Sequence, residues 1–369
     1  MAAAQRERVV VGMSGGVDSS VAAALLQEQC YEVIGVTILV WSPPGFDMGN
    51  AEGCCGLGAA EDARRVAARL GIRHYVLDFK EIFYRDIVQN YVDEYRRGRT
   101  PNPCVRCNRF IKFGALLERA DALGARYVAT GHYARVRYDE DRRRWLLLRA
   151  RDRSKDQSYA LYCLTQEQLS RALFPLGEWA KADTRRRAAD LDLPTATKPD
   201  SQETCFVPNN DYPQLLQLIA PDTLVPGPVV NPAGEVVGEH PGVAFYTVGQ
   251  RRRLGLGSRE RLYVALIEPE ARRVTVAPGN HPSLRRSVVE ADQANLVAVE
   301  RLTEPVTVTA KIRYNMADQP AVLEADDGTP VDQIRVRFPE PVRAVTPGQS
   351  LVCYQGDIVV CGGIIRHAV

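Results

Sequence analysis

The sequence predicts an α/β protein: a parallel-sheet nucleotide-binding domain, then a small adaptor domain and a C-terminal β-barrel. Three observations predict it. A glycine loop, Gly12-Met-Ser-Gly-Gly-Val-Asp-Ser19, sits between an apolar run, residues 9–11, and an Ala/Leu-rich stretch, residues 20–29. β-Branched and amphipathic runs alternate through the first half, the pattern of a sheet with helices on both faces. The texture then changes: Pro208, Pro213, Pro221, Pro226, Pro228 and Pro232 punctuate the next stretch, and short β-branched runs with Gly/Pro turns follow. The domains are expected at 1–207, 208–282 and 283–369. A chain of 369 residues suits two or three domains.

Taken in order, residues 9–13 read as a strand, 20–29 as a helix and 32–40 as a β-branched strand. Residues 59–70 read as a helix and 74–79 as a strand. Residues 81–97 form a longer amphipathic helix, with Ile82, Phe83, Ile87 and Tyr91 along one side. Residues 110–123 predict another helix and 127–130 a strand. Residues 133–138 and 145–149 flank Asp139-Glu-Asp141 as a hairpin, and two short helices follow before residue 206. Later strands are expected at 271–277, 306–313, 334–338 and 358–361. In a parallel sheet, ligands lie beyond the carboxyl ends of the strands. The glycine loop, Ile38 and Thr130-Gly131-His132 converge there.

Composition is that of an ordinary globular protein, 45% hydrophobic and 25% charged, with a net charge of only +2. Charge distribution says more. From Tyr133 to Lys155 there are nine Arg/Lys against four Asp/Glu, and Arg185-Arg-Arg187 and Arg251-Arg-Arg253 are further basic clusters. Such patches suit a polyanion, although a solvated, salt-bridged surface is the commoner meaning of any one Arg run. The N-terminus has no signal-peptide core, and no apolar run reaches bilayer length. The expected location is cytoplasmic, with no membrane partner. Nine cysteines, an odd number, argue against a disulfide framework and for metal or redox chemistry.

Three segments carry chemistry. In the first, Gly15-Gly16 lets backbone N–H groups turn inward above a helix N-terminus, making an anion site to which Ser14 and Ser19 add hydroxyl donors. No Lys follows the glycines, so it is not a Walker loop. A β-branched side chain at Gly16 is expected to crowd the phosphates and to disfavour a positive φ there. The second is Gly98-Arg-Thr-Pro-Asn-Pro-Cys-Val-Arg-Cys-Asn108, whose two prolines predict an extended loop between helices. Its Cys104 and Cys107 lie beside Arg106 and Arg109, and nearby cations raise the thiolate fraction. Cys107 is expected just before a helix. A half zinc site is the structural alternative, but no second Cys-x-x-Cys follows at zinc-ribbon spacing. The third is Lys198-Pro-Asp-Ser-Gln-Glu-Thr-Cys-Phe206, a polar loop ending in one cysteine.

Together these segments resemble one family, the bacterial-type tRNA-specific 2-thiouridylases of the PP-loop ATP pyrophosphatase superfamily. The resemblance rests on GMSGGVDSSV, GRTPNPCVRCN followed by IKFG, ATGHYAR, SKDQSYALY, KPDSQETCF, YTVGQRRRLGLG and KIRYN, in that order from residue 12 to 315, with Thr346-Pro-Gly-Gln349 beyond. It implies a PP-loop (adenine nucleotide α hydrolase-like) first domain and a tRNA-uridine 2-sulfurtransferase. ATP adenylates the C2 oxygen of a flipped wobble uridine and pyrophosphate leaves. Sulfur then attacks C2 and AMP departs. The resemblance assigns Cys107 as nucleophile and Cys205 as persulfide carrier. It assigns Gly12, Met13, Ser14, Gly15, Gly16, Val17, Asp18, Ser19, Ile38 and Gly131 to ATP. Asp18 is a candidate both for Mg²⁺ and for bracing the loop. Asn102, Pro103 and Cys104 fall to the target base. His132, Lys155, Asp156, Gln157, Arg313, Tyr314 and Gln349 fall to tRNA.

One departure matters. Many family members carry Asp where this chain has Cys104. Three thiolates, Cys104, Cys107 and Cys205, are the count that holds a 4Fe-4S cluster with one open iron. Sulfur delivery therefore has two readings: a Cys205 persulfide with a Cys107–Cys205 disulfide, or a cluster needing neither. The chain shows no desulfurase signature, so a cysteine desulfurase or relay protein is the expected sulfur donor. Two other functions compete: another PP-loop ligase, such as an argininosuccinate-synthase-like enzyme, and a non-catalytic tRNA-binding protein. The cysteine loop argues against the first and the intact glycine loop against the second.

Overall fold

The computed structural model describes residues 6–43, 56–200, 204–207, 211–258, 260–325 and 332–369. Ser201–Glu203 of the third segment and Pro208 lie outside them. The chain divides into two compact units: residues 1–87, 104–210 and 357–359, and residues 88–103, 211–356 and 360–369.

The first unit is built on a five-stranded sheet. β1 (Arg8–Gly12) lies between β2 (Glu32–Leu39) and β4 (Tyr127–Ala129), β3 (Arg73–Asp78) flanks β2, and Ala172–Leu173 flanks β4. Every pairing is parallel; β1 registers Val9 with Val33 on one side and with Tyr127 on the other. Val9, Val10 and Val11 are fully buried, as expected of a central strand covered on both faces. Helices α1 (Val17–Glu28) and α2 (Leu57–Leu70) make the crossovers from β1 to β2 and from β2 to β3. The next crossover places β4 on the far side of β1. The strand order therefore reverses between β1 and β4, which puts the topological switch point beside the glycine loop. A hairpin, Ala134–Asp139 and Arg144–Arg149, adds to this unit and pairs through Leu148 with Ile358.

Two expectations need correction. Helix α1 begins at Val17, not at residue 20, so Asp18 and Ser19 lie in its first turn. The first cysteine segment, residues 98–108, is not an extended loop throughout. Pro103 starts a helical run that continues through a π-helical stretch, Cys107–Ala115, to Ala122. Proline suits the first helical position because its missing N–H would have no partner there. Cys104 and Cys107 therefore stand one turn apart on a helix. The short strand Ala172–Leu173 and a third helix, Lys181–Asp190, were not expected. Two residues are too few for a periodic signal to show.

The second unit holds two β structures. Strands Gly227–Val230, Val236–His240, Leu262–Glu268 and Arg273–Pro278 form a four-stranded sheet around Val229, Val264, Val274 and Val276. Six strands form a barrel in the order Arg285–Leu296, Ile334–Arg343, Gln319–Leu323, Val306–Lys311, Ser350–Gln355, Ile358–Ala368. Pairing of the last strand with the first, Ala368 with Val289 through Cys361 with Leu296, closes it. Closure removes the exposed edges that an open sheet presents.

Candidate active site

The glycine loop is built at the carboxyl end of β1. Gly15 holds its positive φ, +66°. A Cβ there would lie 2.4 Å from the Ala59 carbonyl oxygen, so glycine alone fits. Gly16 is the N-cap of α1 at φ −101° and ψ 166°. A Cβ there meets only Ser14 Oγ, at 3.5 Å. The loop's positive φ thus lies at Gly15, and the N-cap Gly16 takes extended backbone. Lys198 Nζ donates to the Gly15 carbonyl at 3.1 Å and to Asp62 at 2.7 Å. Carbonyl and following N–H point opposite ways in a trans peptide, so this contact fixes the direction of the Gly16 N–H.

The loop's own side chains are largely committed to it. Ser19 Oγ accepts from the Ser14 N–H at 3.1 Å and lies 3.2 Å from Ser14 Oγ. Ser20 Oγ donates to the Gly16 carbonyl at 2.8 Å. Asp18 accepts from Tyr133 O–H at 2.9 Å and from Lys181 Nζ at 2.6 and 2.8 Å. These contacts brace the loop, and a cation on Asp18 would share its carboxylate with Lys181. Gly131 follows β4, and a Cβ on it would lie 2.6 Å from both Asp18 C and Ser19 N. The β4 loop therefore rests directly on the first turn of α1. Ile38 stands near the carboxyl end of β2, buried, paired with Leu77.

A cluster of cations adjoins the loop. Asp200 accepts from Lys155 at 3.0 Å, Lys181 at 2.8 Å and Arg185 at 2.6 Å. Burial alone would raise its pKa, but bonds from Lys181 and Lys155 outweigh that and hold it at about 2. Burial and the Asp18 carboxylate push the Tyr133 hydroxyl up, so it stays a donor. Lys155, Lys181, Arg185 and Lys198 face Asp18, Asp62 and Asp200: four charges against three, a net of +1. Each cation already has a fixed position, which suits a site that receives polyphosphate.

The two cysteine segments dock on one helical stretch. Arg106 Nε donates to the Asp86 carbonyl at 2.9 Å. Phe206 packs edge-on against Phe83, ring centroids 5.6 Å apart, and both rings are buried. Phe83 and Asp86 are three residues apart on one helical run. The neighbours of Cys107 and Cys205 thus anchor one turn apart. The helix bearing Cys107 is fixed from its other side. Asn108 Nδ2 donates to the Ala160 carbonyl at 2.9 Å, and Cys163 Sγ to the Val105 carbonyl at 3.2 Å. Gln168 Nε2 donates to the Arg109 and Phe113 carbonyls at 2.9 and 2.7 Å, within the π-helical stretch. π-Helical turns free carbonyls from the regular ladder and recur at functional sites. Cys104 is exposed, while Cys107 and Cys205 are half-buried.

Among the described residues no group of three His, Cys, Asp or Glu is placed to hold a metal ion, and this includes Cys104, Cys107 and Cys205.

The residues assigned to tRNA fall into three settings. His132 Nδ1 bonds Thr130 Oγ1 at 2.7 Å and its ring meets Phe174 edge-on. Burial and the Lys112 cation hold its imidazole neutral. Lys155 belongs to the cation cluster. Gln157 braces Tyr133, accepting from its N–H at 3.0 Å, and Asp156 accepts from the Ala150 N–H and the Ser158 hydroxyl, both at 2.9 Å. In the second unit, Gln349 Nε2 donates to the Thr100 and Pro101 carbonyls at 3.0 and 3.2 Å. The Thr100 N–H donates to the Pro347 carbonyl at 2.8 Å, and Thr100 Oγ1 bonds Thr247 Oγ1 at 3.0 Å. Three motifs thus meet at the strap leading into Asn102 and Pro103. Arg313 and Tyr314 are exposed on the turn after Val306–Lys311.

Sequence reading missed Lys181, Tyr133, Asp62, Phe83, Asp86 and Gln168. Lys198 and Asp200 stood inside a quoted motif, so they were findable. Lys181 carries no local signal.

A family signature described as the tRNA methyl transferase HUP domain matches residues 7–209. A PRC-barrel domain signature of the same description matches 214–278, and an aminomethyltransferase β-barrel domain signature matches 286–365. A tRNA-specific 2-thiouridylase of Caldanaerobacter subterraneus is 50% identical over 98% of both chains. Those of Natranaerobius thermophilus and Desulforamulus reducens are 48% identical over at least 98% of each chain. Among solved structures, a 4-thiouridine synthetase–RNA complex with bound ATP aligns over 58% of this chain and 51% of that one, at 18% identity and a TM-score of 0.35. The domain descriptions speak of methyl transfer, whereas the relatives that span the whole chain are named for thiolation. Full-length identity near one half carries the assignment: the chain belongs to the tRNA-specific 2-thiouridylase family.

Proposed function

We infer that this protein is a tRNA-uridine 2-sulfurtransferase that uses ATP to activate uridine and a cysteine-borne sulfur to replace its C2 oxygen. The observation that carries the reading is one unit holding both stations: an anion loop with four fixed cations, and two cysteine segments anchored one turn apart.

Uracil O2 attacks the α-phosphorus of ATP, the bond to the β-phosphate oxygen breaks, and pyrophosphate leaves. The Gly15-Gly16 loop, with Lys181 and Lys198 beside it, meets the charge that grows on the leaving group. Mg²⁺ would come with the phosphates, since it binds substrate phosphates plus one or two carboxylates. The activated uridine needs a nucleophilic sulfur. A donor protein loads Cys205 with a persulfide. Cys107 thiolate attacks its inner sulfur, a Cys107–Cys205 disulfide forms, and hydrosulfide leaves. Hydrosulfide adds to C2 and AMP departs with the former uridine oxygen. An external thiol reductant then reopens the disulfide. By the same reading Asn102, Pro103 and Cys104 serve the target base, and His132, Arg313 and Tyr314 bind tRNA. A cluster on Cys104, Cys107 and Cys205 is the alternative source of that sulfur, and no step is routed through it.

The test is direct. Incubation with tRNA, ATP, a persulfide donor and a thiol reductant should give 2-thiouridine in the nuclease digest, with pyrophosphate release that requires tRNA. Pyrophosphate release at the same rate without tRNA would contradict the reading.

A further inference from the structure

Several charged side chains of the second unit form ion pairs with one another. Arg96 pairs with Asp222, Arg273 with Glu268, and Arg335 and Arg366 with Glu290. One loop gathers arginines that form no such pair. Arg251, Arg253 and Arg261 line a cavity of about 620 Å³ together with Glu260. All three arginines are exposed, and none has a carboxylate partner among the described residues. Three cations against one anion leave a net of +2.

The loop is also held in shape. Leu254 is buried in the core of the four-stranded sheet and Leu256 packs against it. Arg253 adopts φ +61°, a conformation that non-glycine residues seldom take and that clusters at functional sites. Gly255 and Gly257 alternate with the anchoring leucines, and a Cβ at either would meet nothing within 4 Å. Their backbone is open to an approaching ligand. The leucines thus fix a rim of guanidinium groups without carboxylate partners, Arg251 also bonding the Tyr263 hydroxyl, and of bare peptide. Guanidinium forks and exposed N–H groups are what phosphate oxygens bind.

We propose that this cavity is a docking site for the sugar-phosphate backbone of the RNA substrate, distinct from the residues assigned to the target base. The proposal rests on the tRNA reading above. It calls for phosphate contacts that carry no sequence information, because the lining offers charge and backbone but no side-chain amide.

The experiment measures tRNA affinity of the full-length protein by filter binding between 50 and 200 mM salt. It compares wild type with a triple variant, Arg251→Ala, Arg253→Ala and Arg261→Ala. The variant should bind at least about tenfold more weakly at the low-salt end. Its log–log salt slope should be smaller by about 2, since each lost phosphate contact removes roughly 0.7 to 0.9. The loss should be equal for tRNAs of different sequence, and pyrophosphate release at saturating tRNA should be unchanged. A companion variant with Lys at all three positions keeps the charge and should recover most of the affinity. Unchanged affinity and slope in the alanine variant would overturn the proposal. So would full competition by millimolar inorganic pyrophosphate, which would mark a small-anion pocket. Failure of the wild type to bind tRNA at all would instead overturn the underlying reading.

Discussion

The glycine loop and the cysteine segments solve opposite problems with opposite construction. In the loop nearly every polar atom is spent on the loop itself: Ser14 on Ser19, Ser20 on Gly16, Asp18 on Lys181 and Tyr133. What remains for a ligand is backbone N–H and fixed cations. In the cysteine segments the neighbours do the anchoring. Arg106 and Phe206 hold the chain, and Cys107 and Cys205 stay half-exposed. A site that stabilises charge must be preorganised. A thiol that exchanges sulfur with another protein must be reachable. The contrast predicts that substitution of the strained loop glycine damages fold and chemistry together, whereas substitutions at the thiols damage chemistry alone.

The largest effect expected is at the thiols. Cys107→Ser and Cys205→Ser should each abolish 2-thiouridine formation, while unfolding free energy by urea titration stays within about 0.5 kcal/mol of wild type. Cys104→Ser should retain substantial thiolation. Loss of activity there, together with loss of iron from anaerobically purified protein, would restore the cluster reading.

Next comes the loop. Gly15→Ala places a side chain at φ +66° and against the Ala59 carbonyl, costing about 1–3 kcal/mol in backbone strain before the clash is counted. ATP-dependent pyrophosphate release should fall by about 100-fold, as when a preorganised donor is lost. Gly16→Ala has extended backbone and room for its methyl, so the fold should hold within about 0.5 kcal/mol. Equal loss of stability at the two glycines would break the assignment of the strained residue.

Asp200→Asn tests the cation cluster. Its pKa near 2 lies below the ordinary carboxylate value. The stabilisation it provides is therefore complete above about pH 5 and is lost as pH falls toward 2. Denaturation at pH 7 should show the variant weaker by about 2 kcal/mol, and about half of that difference should be gone by pH 3. A difference independent of pH would remove electrostatics as its cause. The smallest effect is expected from Lys198→Met, which frees the Gly15 carbonyl: KM for ATP should rise several-fold, with thermal stability little changed.

How much of this was legible follows from particular residues. Val9–Val11 before a glycine pair and an Ala/Leu run specify strand, loop and helix locally, so the loop and the parallel sheet were readable. Gly15 and Gly16 are identical letters; only the position of Ala59 distinguishes them, and that is a tertiary fact. Pro103 was read as breaking structure because proline both ends and begins helices. Lys181 meets Asp18 across 163 residues, a contact no local pattern announces. Gln168 reaches the π-helical carbonyls of Arg109 and Phe113 in the same non-local way. Cys107 and Cys205 were assigned by resemblance, and their anchoring through Asp86 and Phe83 appears only in three dimensions.

The central claim is that activation of uridine belongs to the loop and is complete before any thiol acts. A single-turnover assay of Cys107→Ser with tRNA and labelled ATP, in the absence of a sulfur donor, addresses it most directly. The account predicts a tRNA-dependent burst of about one pyrophosphate per tRNA-bound enzyme with no 2-thiouridine formed. A folded, tRNA-binding Cys107→Ser enzyme that releases no pyrophosphate would contradict it.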